Sequence, residues 1–135
     1  MIEYRHRLFN RRACLLAATC GVILAGLALR RFGYDIGLPF VVVKYGGSIL
    51  WGSMVFVLIS SLLPCRSGRT AFVVTCIVAV VVELIRLVHF PALDEFRATT
   101  AGALLLGRVF SLWNIASYLA GIGSAAFIAS RLSTT

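Results

Sequence analysis

Acidic residues are what this chain lacks most: five Asp and Glu stand against thirteen Lys and Arg in 135 residues. Charged residues of both signs make up 13%, about half the share of a soluble domain, while 60% of the chain is hydrophobic. So little charge excludes a soluble enzyme, and so much apolar sequence excludes a disordered tail. Cysteine is also sparse. Four cysteines in so apolar a chain exclude an extracellular disulfide scaffold, and Cys14, Cys20, Cys65 and Cys76 show no C-x-x-C or other zinc spacing that would supply metal ligands. Cys14, Cys20 and Cys76 fall in apolar runs, where a free thiol behaves as a small core residue, and Cys65 stands at a loop edge. The three prolines, Pro39, Pro64 and Pro91, lie at the edges of apolar runs, where a missing N–H costs least. H-E-x-x-H, a phosphate loop, a nucleophile–base pair and paired catalytic carboxylates are all missing. No catalytic, cofactor or metal residue is expected, and the chain reads as a non-enzyme.

What is present is a set of apolar runs of bilayer length. The expected fold is an all-α integral membrane domain over residues 1–135, with four transmembrane helices at about 13–29, 49–63, 70–88 and 110–130. Whether residues 38–45 extend the second span is open at this level. The stretch 92–108 is too short and, at Asp94, Glu95 and Arg97, too polar for a fifth span. An interfacial or re-entrant helix between the third and fourth spans fits it better. Cys65–Arg69 is a tight polar turn that makes spans two and three an antiparallel hairpin.

The net charge of +8 has no soluble surface on which to form a nucleic-acid patch. Arginines beside apolar spans instead set topology and meet anionic lipid headgroups. Arg5, Arg7, Arg11 and Arg12 precede the first run as they would in a signal peptide, yet Arg30-Arg31 follows it where a cleavage site would stand. The run is expected to be an uncleaved span. With Arg66, Arg69 and Arg131 on the side of the first arginines, both termini are expected in the cytoplasm.

Two features go beyond topology. Ala17, Gly21 and Ala25 in the first span, and Ser117, Gly121 and Ala125 in the fourth, repeat every four residues. Such ridges let helix backbones approach closely, within the bundle or against a protein partner in the membrane. Second, Glu83 and Arg86 lie three apart in the third span, where an isolated charge costs about 2.5–3.5 kcal/mol on insertion scales. Ser48, Lys44, Arg97 and Asn114 fall at the same end of the bundle, so Glu83, Arg86, Arg97, Asn114, Ser48 and Lys44 form a candidate polar pocket. The other half holds little beyond small hydroxyls, which does not suit a channel or proton relay crossing the whole membrane.

The run Tyr45-Gly46-Gly47-Ser48-Ile49-Leu50-Trp51, then Glu83-Leu84, Pro91, Leu93-Asp94, Arg97 and Thr99 is similar to a family of small bacterial membrane proteins of unknown function. Gly102, Leu106-Gly107, Phe110, Asn114, Tyr118 and Gly121 continue the resemblance. That family is akin to the VanZ-like proteins, whose namesake is associated with glycopeptide resistance. The resemblance implies a helical fold in the bacterial inner membrane and no established activity. It also marks three departures, since the family typically has Asp at the position of Ser48, Gln at that of Arg86 and Asp at that of Asn114. Two functions follow as expectations. One is a non-catalytic accessory or structural subunit of a larger membrane complex; the other is a stand-alone protein binding a lipid or glycan headgroup in an outer-leaflet pocket.

Overall fold

The computed structural model describes residues 2–63, 68–107 and 109–132. Pro64, Cys65, Arg66 and Arg108, and with them most of the expected 65–69 turn, lie outside the described residues. Six helices follow one another: α1 (Ile2–Phe32), α2 (Phe40–Leu62), α3 (Gly68–Ile85), α4 (Pro91–Ala98), α5 (Thr100–Leu105) and α6 (Leu112–Leu132). Four of them, α1, α2, α3 and α6, are long and apolar enough to cross a membrane. No strand occurs among the described residues.

The helix ends differ from the expected spans for local reasons. α1 runs unbroken from Ile2 and so carries its basic residues on a helical extension of the span. α2 starts at Phe40, nine residues before Ile49, so residues 40–45 belong to the second span. Pro39 is its N-cap, and the Pro39 carbonyl accepts from the N–H groups of Val42 and Val43. Lys44 is tolerated in this first stretch because its ammonium lies over the Phe40 and Tyr45 rings, at 5.4 and 5.3 Å from their centroids.

α3 stops at Ile85, three residues short of the expected Val88. The chain tightens into successive three-residue turns, with Arg86, Leu87 and Val88 donating to Glu83, Leu84 and Ile85. Phe90 is then extended, as a residue before proline tends to be, and Pro91 opens α4 at its first turn. The expected single helix over 92–108 is two short ones. Thr99 breaks them with an extended backbone and caps α5 by accepting from Gly102 N–H at 3.0 Å.

α2 and α6 cross in close contact at two glycines. A Cβ on Gly52 would stand 2.5 Å from the Tyr118 carbonyl oxygen, and one on Gly121 only 2.0 Å from that of Ile49. No larger residue fits either place, and Ser53 Oγ uses the approach to donate to the Gly121 carbonyl at 3.0 Å. The ridge on α6 is therefore consumed inside the bundle. α3 packs on α6 and α2, and the core is Phe56, Ala71, Ala79, Tyr118 and Ile122.

α1 packs on α2 through a different stripe from the one its small residues mark. Thr19 and Gly33 are buried and Leu15, Val22, Gly26 and Leu29 partly so, alternating at spacings of four and three. Ala17, Gly21 and Ala25 are exposed, and a Cβ on Gly21 would meet nothing within 4 Å. At about 100° per residue this ridge lies roughly 120° around the helix from the covered stripe. The expected packing role of Ala17, Gly21 and Ala25 within the bundle is thus corrected: they face away from it.

Candidate functional site

Glu83 sits in the last turn of α3 and is completely buried. Its Oε1 accepts the Ser111 backbone N–H at 2.7 Å and Asn114 Nδ2 at 3.2 Å, so the carboxylate receives the start of α6. Arg86 Nη1 stands 2.7 Å from Oε2. That N–H is not aimed at the oxygen, so the contact is coulombic, and Oε2 accepts no directed hydrogen bond. The pair neutralises itself, and each partner offsets part of the desolvation of the other.

Arg86 does not reach outward to an interface, as a long basic side chain near a span end can. It turns inward and is 8% exposed. Its Nε donates to the Leu106 carbonyl, its Nη2 to Tyr118 Oη at 2.7 Å and its Nη1 to the Val109 carbonyl at 3.4 Å. The loop after α5 makes this possible. Gly107 has φ +68°, and a Cβ there would overlap the guanidinium at 2.5 Å, so both the turn and the approach need glycine. Tyr118 in turn packs against Trp51, with ring centroids 4.7 Å apart.

Ser48 and Asn114 extend the network to α2. Ser48 Oγ is 3.5 Å from Asn114 Oδ1 and 3.2 Å from the Lys44 carbonyl. The sequence-predicted group thus divides. Ser48, Glu83, Arg86 and Asn114 form one connected set spanning α2, α3 and α6, whereas the Lys44 ammonium lies apart on its aromatic rings.

Arg97 forms a second focus. It is 3% exposed and donates to the carbonyls of Ile85 and Val88 and, at 3.1 Å, to Asp94 Oδ1. A cation on carbonyls at the end of α3 is favoured by the helix dipole, and these bonds tie α4 beneath that end. Asp94 also meets His89 Nδ1 at 3.3 Å, near the surface.

Sequence reasoning missed Tyr118, the backbone N–H of Ser111 and the carbonyls of Leu106 and Val109. The signal available was Leu106-Gly107 shortly before the fourth span, since a glycine after a short helix marks a left-handed turn. Among the described residues no three of His, Cys, Asp and Glu stand close enough to hold a metal ion. Chemically the arrangement is a clamp: its charged groups bind one another and the backbone.

The model of the DUF2809 family, proteins of unknown function, matches residues 38–122. The chain belongs to this family. The match takes in α2 to the first half of α6, and so the whole Ser48–Asn114–Glu83–Arg86 network together with Arg97. It does not include α1. No solved structure matches the chain.

Proposed function

We propose that this DUF2809 protein is a non-catalytic accessory or structural subunit of a larger membrane complex, built on a VanZ-like scaffold. The observation that carries the reading is the contrast between a closed polar network and an open ridge. Every carboxylate and guanidinium of the Glu83 network is engaged inside the bundle, which leaves no reactive group facing a substrate. Ala17, Gly21 and Ala25 present a backbone that another helix could approach closely. Of the three departures from the family resemblance, Arg86 and Asn114 contact Glu83 and Ser48 joins them through Asn114, consistent with a polar site converted to a structural clamp. The setting of the proposal is the bacterial inner membrane with both chain ends cytoplasmic, as the basic residues of α1 favour.

The test is photocrosslinking in native membranes from a reactive residue at Ala25, with and without Gly21→Leu. A defined protein adduct that Gly21→Leu removes, with helical content and thermal stability unchanged, supports the subunit reading. Adducts only to lipid, or an adduct that survives Gly21→Leu, overturn it. Gly121→Leu is not a test of the partner, because Gly121 meets the α2 backbone.

A further inference from the structure

α1 and α2 do not close completely where α5 approaches them. A cleft of about 320 Å³ opens there, lined by Val22, Gly26 and Leu27 of α1, Leu50 and Trp51 of α2, and Leu105 of α5. That volume is at the lower end of small-ligand sites. Two glycines create the space. A Cβ on Gly26 would meet only Leu50 Cβ, at 4.0 Å, and Gly47 has nothing near it but the Arg30 side chain, at 3.3 Å.

The wall is apolar from Val22 to Leu27 and ends at a single cation, Arg30. From Val22 to Arg30 the cleft runs roughly 12 Å along α1 at 1.5 Å per residue. Arg30 differs from its neighbour. Arg31 pairs with Asp35 at 3.4 Å and lies over the Phe32 ring. Among the described residues no carboxylate stands within ion-pair distance of Arg30, whose guanidinium is folded back over Gly47 at the head of the cleft.

We infer that this cleft binds one acyl chain of an anionic membrane phospholipid, with the lipid phosphate on Arg30. The charge pattern selects the occupant. An apolar helix of a protein partner has no anion to offer the guanidinium, and a zwitterionic lipid brings a competing cation with its phosphate. A long apolar slot capped by one unpaired guanidinium at the end of a membrane helix complements an anionic amphiphile in shape, polarity and sign. The inference does not depend on the subunit reading, because the cleft and the Ala17–Gly21–Ala25 ridge lie on different sides of α1.

Trp51 in the cleft wall supplies a reporter, and Trp113→Phe removes the other tryptophan, which is 72% exposed. The full chain carrying that substitution is reconstituted in phosphatidylcholine vesicles with an equal mole fraction of brominated-chain phosphatidylglycerol or brominated-chain phosphatidylcholine. Bromine quenches only at short range, so Trp51 reads occupancy of the cleft. The expected result is an apparent affinity about fivefold higher for phosphatidylglycerol, the scale of one basic residue at an anionic lipid. Arg30→Gln removes the preference and keeps the quenching; Gly26→Leu, which fills the slot, lowers the quenching by either lipid. Equal affinity for the two lipids, or a preference unchanged by Arg30→Gln, overturns the inference. So does a Trp51 that neither lipid quenches, the outcome expected if protein covers the cleft.

Discussion

The two ends of the bundle satisfy their buried polar groups in opposite ways. At the end away from α4 and α5, Thr75 and Ser61 are buried, and each hydroxyl donates to a carbonyl of its own helix, Ala71 at 2.6 Å and Leu58 at 2.6 Å. Such bonds are local and neutral, and they link no helix to another. At the α4–α5 end, Glu83, Arg86, Asn114 and Ser48 bond across helices and to the loop before α6. The first end is held by apolar packing of Phe56, Ala71 and Ile122 around the α2–α6 crossing. The second is held by charge-assisted bonds that fix where each helix begins and ends. The difference teaches that charges in this membrane domain are placed where backbone leaves regular helix and its polar groups need partners.

The comparison breaks most sharply at Arg86. Arg86→Ala leaves Glu83 buried without its counter-ion, and the expected loss is about 3–5 kcal/mol, read by reversible unfolding in detergent. A loss no larger than that of a surface substitution would mean that the network is ornamental. Gly121→Leu comes next, because it forces side chain into the Ile49 backbone where α2 and α6 cross. The expected cost is about 1–3 kcal/mol, while Gly21→Leu on the uncovered face of α1 leaves unfolding unchanged.

Arg97→Gln should act locally. Losing charge-assisted bonds to Ile85 and Val88 costs about 1.5–3 kcal/mol at that joint, and amide exchange should accelerate over residues 86–98 with α2 and α6 unaffected. Acceleration throughout the bundle would remove the distinction between joint and core. Thr75→Val gives the smallest effect, within about 1 kcal/mol, because it removes a bond to the same helix and keeps the side-chain volume.

Much of this contrast is legible in the sequence. The i, i+3 spacing of Glu83 and Arg86 announces a pair, and the lack of other charges inside the spans announces the four helices. The partners of that pair are not legible, because a carbonyl at Leu106 or an N–H at Ser111 belongs to every sequence and acquires meaning only when the chain turns. The end of α3 is hidden for the same reason: Arg97 donates to the Ile85 carbonyl from twelve residues away. The α1 ridge misleads differently. Ala17–Gly21–Ala25 and Leu15–Thr19–Val22–Gly26 are both helical stripes, and in an apolar helix hydrophobic contrast does not say which one is covered. On α6 the equivalent stripe is covered because Gly121 lies opposite α2 at the crossing.

The central claim is that Glu83 and Arg86 form a structural clamp whose members depend on each other. A double-mutant cycle with Glu83→Gln, Arg86→Met and the combined variant measures that dependence directly. The clamp predicts a coupling energy of about 2 kcal/mol or more, with the double variant more stable than the sum of the single losses requires. Additive losses would contradict it, because they would mean that carboxylate and guanidinium serve the fold independently.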